Sequence, residues 1–241
     1  MQNSLSVSLS AQISLQRRLE TIAANIANAN TPGYRVDGVS FSTEIAKAGE
    51  AKVAFVGEGD GFISRRAGPM IQTGNPLDVA VQGDGWFAVK TNGQNVYTRD
   101  GRMTMNDTGA LVSITGQPVL DVSGSPIQLD PSAGPPEITR DGMISQAGRQ
   151  YGAVGLFSLD PNAKLTRAGT SGFTSDKAAL PILDFSANGV EQGFVEGANV
   201  DPVTEMTRLI TVTRNFDAVS NGVTQTETSL TDAIKTLGGA A

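Results

Sequence analysis

The chain has 241 residues, 24 acidic against 18 basic side chains, a net charge of −6, and neither histidine nor cysteine. Without cysteine there are no disulfides, thiolate metal sites or thiol nucleophiles; without histidine the usual metal ligand and the usual general base near neutral pH are missing. The acidic balance also argues against nucleic acid, whose phosphates call for a basic surface.

Glycine and proline partition the chain. Neither occurs in residues 1–31, whereas all but three of the 28 glycines and all but one of the 11 prolines lie between Pro32 and Gly197. Helix interiors exclude both residues and β-turns require them. The expected order is therefore helix, β-rich body, helix. Boundaries are placed at 1–32 for an N-terminal helix, 33–75 for an extended linker and β connector, 76–195 for the β-rich central domain and 196–241 for a C-terminal helix.

In the first segment Leu15, Leu19, Ile22 and Ile26 keep a 4-3-4 spacing, and Thr31-Pro32-Gly33 ends the run. Upstream, Ser4, Ser6, Ser8 and Ser10 alternate with Leu5, Val7, Leu9 and Ala11, a period of two that by itself suggests a strand. No turn separates the two stretches, so one helix is the expectation. Arg17-Arg18 is an isolated basic pair suited to water or to the acids of a neighbouring subunit.

The middle block reads as short strands joined by tight turns. Leu77–Val81 alternates, Gly83-Asp84-Gly85 turns, and Trp86–Lys90 extends again. Asn92-Gly93, Asp107-Thr108-Gly109 and Ser123-Gly124 supply further turn chemistry. Thr98-Arg99-Asp100-Gly101 recurs as Thr139-Arg140-Asp141-Gly142, and both copies are expected to be hairpin turns. Gly83–Ala88 matches the glycine spacing of a dinucleotide loop, but that mechanism needs a following helix. Here the next residues read as a strand, so a hairpin is expected.

The C-terminal segment carries the clearest period. Leu209, Phe216, Val223, Leu230 and Leu237 recur every seven residues, with Met206 and Ile234 at the complementary heptad position. Thr213, Ser220 and Glu227 fill that position elsewhere, leaving the seam half apolar. Asp201-Pro202 predicts an N-cap and first helical residue, and Lys235 with Gly238-Gly239 predicts the end. Nine threonines, at up to ~0.7 kcal/mol each relative to alanine, weaken this helix and call for a partner surface.

Three passages resemble the bacterial flagellar axial proteins, the rod and hook group. Ala24–Arg35, with its Ala-Asn-Thr-Pro-Gly-Tyr core, is similar to the group's N-terminal signature. Thr73–Phe87, extended by Tyr97–Gly101 and Gly109–Val112, is similar to its β passage. Glu196–Met206, continued by Leu209-Ile210 and Arg214-Asn215-Phe216, is similar to its C-terminal signature. Trp86 stands where phenylalanine is commoner, and Thr213 where glutamine is usual. Hook members are typically longer, and the opening Val7–Gln12 looks like the proximal-rod members; a distal-rod subunit is the alternative.

The resemblance implies an α+β subunit. Its long terminal helices pack as a coiled-coil-like pair in the inner tube of a helical assembly, and its β body, a distorted sandwich or barrel, lies outside. It implies subunit packing through Leu15, Leu19, Ile22, Ile26, Asn25, Asn28, Asn30, Met206, Leu209, Phe216, Val223, Leu230, Ile234 and Leu237. The implied partners are copies of the chain, other rod proteins and the flagellar type III export apparatus. Nucleic acid, a membrane span, a cofactor, a metal and catalytic residues are not expected. Export without a cleaved signal into the periplasmic part of the basal body follows from the same resemblance. The rival from another class is a glycan-binding or glycan-cleaving β domain using acids such as Asp121 and Asp130.

Overall fold

The computed structural model describes residues 2–40, 43–48, 51–56 and 59–239. The class is α+β: one helix at each end and a β-rich centre. Two compact units arise, one of Met1–Ala27, Asp37–Phe62 and Asp201–Ala241, the other of Asn28–Val36 and Ile63–Val200.

The first unit contains α1 (Gln2–Ala27) and α2 (Pro202–Gly238), with β1 (Asp37–Ser40), β2 (Thr43–Ala48), β3 (Ala51–Val56) and β4 (Asp60–Ile63), the last ending one residue past its border. β2 and β3 form an antiparallel hairpin from Thr43↔Val56 to Ala48↔Ala51, and β1 pairs with β4. The serine-alternating opening is helical throughout. Helical Ser10 and Ser14 return their hydroxyls to the carbonyls of Val7 and Ala11, each at 2.8 Å. α2 starts where its sequence predicts: the Asp201 carboxylate accepts the amides of Val203 and Thr204 at 3.1 and 3.2 Å. Glu205 sits in the first turn and Lys235 in the last, both favourable to the helix dipole. At ~1.5 Å per residue, its 37 residues span ~55 Å. The run Gly57-Glu58-Gly59-Asp60-Gly61, whose composition suggests a connector and whose spacing is not that of a calcium loop, lies partly outside the described residues; Asp60 and Gly61 belong to β4.

The second unit holds the remaining strands. In chain order these are β5 (Met70–Gln72), β6 (Val79–Gln82), β7 (Trp86–Thr91), β8 (Gln94–Thr98), β9 (Met103–Met105), β10 (Leu111–Ser113), β11 (Glu137–Ile138) and β12 (Met143–Gln146). Then follow β13 (Arg149–Ala153), β14 (Leu156–Ser158), β15 (Leu165–Ala168), β16 (Gly172–Ser175), β17 (Leu180–Pro181), β18 (Gly189–Gln192) and β19 (Phe194–Glu196). The main sheet runs β15-β16-β8-β7-β14-β17, with β11-β12-β13 and several two-stranded ribbons beside it. One apolar cluster gathers Val79, Phe87, Leu111, Val119, Ile144 and Leu156; a second gathers Trp86, Tyr97, Leu120, Phe157 and Phe173. Trp86 meets Phe173 edge-on at 5.6 Å between ring centroids.

Asn92-Gly93 is the expected two-residue hairpin turn between β7 and β8, with φ of 49° and 80°. Two other turn expectations are corrected. Gly83-Asp84-Gly85 is not a hairpin, because β6 pairs with β18 while β7 pairs with β8 and β14. The next element is still a strand, which removes the dinucleotide reading. Of the repeated tetrapeptides, Thr139–Gly142 does join two paired strands, β11 and β12. Thr98–Gly101 does not: β8 pairs with β7 and β16, β9 with β10, and Arg99 is buried. A guanidinium held inside the unit outweighs the local turn preference of Asp-Gly.

Exposed aspartates tie many of these turns. The Asp130 carboxylate accepts the hydroxyl and amide of Ser132, at 2.6 and 2.9 Å. Asp141 accepts the Thr139 hydroxyl at 2.5 Å, and Asp160 accepts Lys177 Nζ at 3.0 Å. Each of these carboxyls is held below the ordinary aspartate range by those donors. A depressed folded pKa contributes stability above the unfolded value of ~3.9 and loses it as pH falls through the folded values. Thermal midpoints should therefore stay level from neutral pH to about pH 5 and fall below about pH 4. Calorimetry across that range checks this, and a decline beginning near pH 6 would contradict it.

Candidate assembly site

In the first unit the end of α1 lies at the start of α2, so the two helices run antiparallel and pack along each other. The heptad column Leu209, Phe216 and Val223 turns inward and is half-buried. Its companions on the buried face are Glu205, Val212, Val219 and Thr226, each one residue before the complementary positions Met206, Thr213, Ser220 and Glu227 expected from the sequence. Val212 is buried outright. A column every seven residues has two flanking columns, and this chain buries the one holding two valines. On α1, Ile22 is buried and Leu15, Leu19 and Ile26 are half-buried. Met206, Ile234 and Leu237 are exposed within the single chain. The side chain of Leu230 lies outside the described residues.

The three asparagines divide their roles. Asn25 is buried, and its amide pairs with Asp37 both ways: Nδ2 donates to the carbonyl and Oδ1 accepts the amide, each at 2.9 Å. A side chain thus imitates a strand neighbour at the start of β1. The same Nδ2 lies 3.4 Å from Glu205 Oε2, and Glu205 Oε1 receives Arg208 Nη1 at 2.6 Å. Asn28 Oδ1 accepts the Thr31 hydroxyl locally at 3.3 Å, and Asn30 is exposed.

In the second unit the stretch after α1 and the stretch before α2 lie side by side. Gly33 N donates to the Glu196 carbonyl at 2.7 Å, and Val36 N to Asn199 Oδ1 at 2.7 Å. Asn199 Nδ2 reaches the carbonyl of Arg66 at 2.6 Å and Ser64 Oγ at 3.2 Å, stitching in a third segment. Gly33 has φ +69°, and a Cβ there would collide with the Asp100 backbone, so the Pro-Gly of the N-terminal passage answers a close chain approach.

Glu196 is the electrostatic centre of this joint. Its Oε1 is 2.6 Å from Arg35 Nη2 and accepts Gly68 N at 2.8 Å, while Oε2 accepts Arg99 Nη1 at 2.9 Å. All three side chains are almost fully buried. Arg99 Nη2 donates to the Gly83 carbonyl at 2.7 Å, and Arg35 Nη1 to that of Arg66. The two guanidinium carbons lie 5.5 and 5.0 Å from the Trp86 ring centroid. Burial, opposed by Glu196 and aided by the neighbouring Arg99, pushes Arg35 down to about 10, so it stays protonated at neutral pH. Burial lowers Arg99 likewise. Two buried cations thus pair directly with one carboxylate.

Sequence reading assigned no role to Arg35, Arg99, Glu196 or Asn199, although all four lie in the quoted passages. The available signal was a charge embedded in turn-rich, apolar surroundings; what it paired with was not readable. Asp121 and Asp130 are engaged in separate turns: Asp121 Oδ1 takes the amides of Ser123 and Ser125 at 2.8 Å, and Asp130 takes Ser132. A groove of the second unit, about 540 Å³, is lined mainly by hydroxyl and amide groups such as Thr91, Gln94, Ser113, Thr115 and Thr170. Among the described residues no helix is long and apolar enough to cross a membrane.

Comparison with known proteins agrees along the whole chain. The family model described as "Flagella basal body rod protein" matches residues 5–35, "Flagellar hook protein FlgE/F/G D1 domain" matches 80–146, and "Flagellar basal body rod FlgEFG protein C-terminal" matches 191–236. The flagellar basal-body rod protein FlgF of Mesorhizobium japonicum is 49% identical over 238 residues, covering 99% of both chains. FlgF of Rhizobium meliloti is 43% identical over 239 residues with the same coverage. FlgG of Bacillus subtilis is 29% identical, covering 97% of this chain and 98% of its own. Matched at both helices and in the β body, the chain belongs to the flagellar hook and basal-body rod family, and within it is FlgF-like.

Proposed function

We propose that the protein is a structural, non-enzymatic subunit of the proximal flagellar rod, assembling helically with its own copies and other rod proteins to carry torque from motor to hook. The full-length similarity to FlgF proteins is the observation that carries this reading, since it spans both terminal helices as well as the body. The helix faces supply the physical counterpart. The inward face is covered within the chain, while Met206, Ile234 and Leu237 present apolar surface that a lone subunit leaves in water. In the assembled tube the helices pair in coiled-coil fashion and the heptad and asparagine positions of both helices pack between subunits. The four segments 1–32, 33–75, 76–195 and 196–241 then serve as inner helix, connector, outer body and inner helix. Export proceeds through the flagellar type III apparatus without a cleaved signal, and the subunit resides in the periplasmic part of the basal body.

The deciding experiment removes the gene and restores it. Loss of motility, rescue by the intact chain, and recovery of the chain from purified basal bodies at the motor-proximal end are the expected results. Recovery at the hook-proximal end would instead make it a distal-rod subunit, and motility without the gene would end the rod assignment.

A further inference from the structure

The segment Gly189–Asn199 carries β18 and β19, and its partners lie far back in the chain. β18 pairs with β6 from Gly189↔Gln82 to Gln192↔Val79, and β19 pairs with β5 from Phe194↔Gln72 to Glu196↔Met70. Both ladders are two-stranded, so among the described residues β5 and β6 have their sheet partners only in this segment. Val36 N reaches Asn199 Oδ1 across 163 positions. The other pairings of the second unit include many between neighbours in sequence: β7 with β8, β9 with β10, β11 with β12 and β15 with β16.

The side chains of the segment reach as far as its backbone. Gln192 Nε2 donates to the carbonyls of Pro76 and Pro136, both at 2.7 Å, and its Oε1 accepts Ile138 N at 3.2 Å. Glu196 holds Arg35, Arg99 and Gly68 N, while Asn199 holds Val36 N and the Arg66 carbonyl. Val190 and Val195 are buried. Without this segment, polar groups in the stretches 33–36, 66–76 and 136–138 would lose partners together, a loss that apolar packing does not replace.

We infer that Gly189–Asn199 is the closing strap of the second unit, and that the unit gains no stable structure until the strap docks. The hairpins of neighbouring strands form fast but are marginal by themselves. Pairings across more than a hundred residues come late, because the intervening chain must give up its freedom before any contact repays it. In a chain made from its N-terminus, 188 residues precede the strap. The β body therefore stays open until most of the chain has been made. This timing deepens the rod-subunit reading and rests on it for its use: a subunit that closes late remains threadable for export.

Pulse-labelled hydrogen exchange during refolding of the intact chain tests the order of events. The amides of Val190 and Asn199 in the strap bond the carbonyls of Arg140 and Tyr34, and those of Leu120 and Ile182 in the body bond Ala88 and Leu156. All four should become protected with one rate constant, as in a two-state reaction. Protection at Leu120 and Ile182 while Val190 and Asn199 still exchange would overturn the inference. At equilibrium, Glu196→Gln should lower protection at all four amides by the same factor; a fall confined to the strap would overturn it too. Full-length chains stalled on the ribosome through C-terminal extensions of increasing length read the timing. Protease resistance of the body should appear only once the extension brings Asn199 out of the exit tunnel, and resistance with the strap still inside would overturn it. These measurements leave the rod reading untouched, since recovery of the chain from basal bodies tests that separately.

Discussion

Glu196→Gln should lower the stability of the β body by about 3–5 kcal/mol, the range for removing one partner of a buried ion pair. The substitution keeps the shape and an acceptor for Gly68 N, but it removes the one carboxylate that is ion-paired with both buried guanidinium groups, Arg35 and Arg99. Domains of ordinary stability have only about 5–15 kcal/mol in total, so the effect is a large share of it. Trp86, the sole tryptophan, lies against both arginines and reports on the site. Denaturant unfolding followed by its fluorescence should show a clearly lowered midpoint with a similar slope. Lys177→Ala, which breaks an ion pair exposed on both sides, should leave the midpoint unmoved. An unchanged midpoint for Glu196→Gln would mean that Glu196 does not hold the joint together.

Val212→Asp should abolish motility while leaving the β body folded. Val212 is buried on the face of α2 that meets α1, and a carboxylate there loses its hydration, a cost of roughly 3 kcal/mol or more. In the isolated wild-type chain, amide exchange should be slowest near Glu205–Phe216, where the inward face is best covered. It should be fastest beyond Glu227, where the described α2 side chains are all exposed. Val212→Asp should erase the slow region and leave Trp86 fluorescence unchanged. A motile mutant with wild-type exchange would remove Val212 from the seam that holds the helices. Met206→Asp provides the contrast, because Met206 is exposed in the single chain: it should spare the exchange pattern and still impair assembly.

How far the sequence was legible depended on the range of the interaction involved. The three-part organisation followed from where glycine and proline are missing, because a backbone preference acts within a few residues. The start of α2 at Asp201-Pro202 was readable for the same reason: an N-cap bonds residues two and three positions ahead. Asn92-Gly93 was readable because positive φ at both residues is a local demand. The heptad column Leu209, Phe216 and Val223 was readable, but not which flanking column turns inward, since that depends on what α1 presents.

Thr98–Gly101 and Thr139–Gly142 show the boundary most clearly. Both have the sequence Thr-Arg-Asp-Gly, yet one is a hairpin turn with an exposed Arg140 and the other a bend with a buried Arg99. Nothing within the four residues distinguishes them. The difference is Glu196, almost a hundred residues further along, whose carboxylate is available to one arginine and not to the other.

By itself, the sequence determined the class of the protein, the two ends of α2 and the family its passages resemble, whereas α1 stops at Ala27, short of the Thr31-Pro32-Gly33 at which the sequence places its end. These depend on short-range backbone energetics and on motifs that survive as contiguous strings. Only the tertiary structure decided that Arg35, Arg99 and Glu196 form one buried ion cluster, that Asn25 completes the start of a strand, and that Val212 faces α1. Each of these is a pairing between distant segments, and its energy exists only once folding has removed both partners from water.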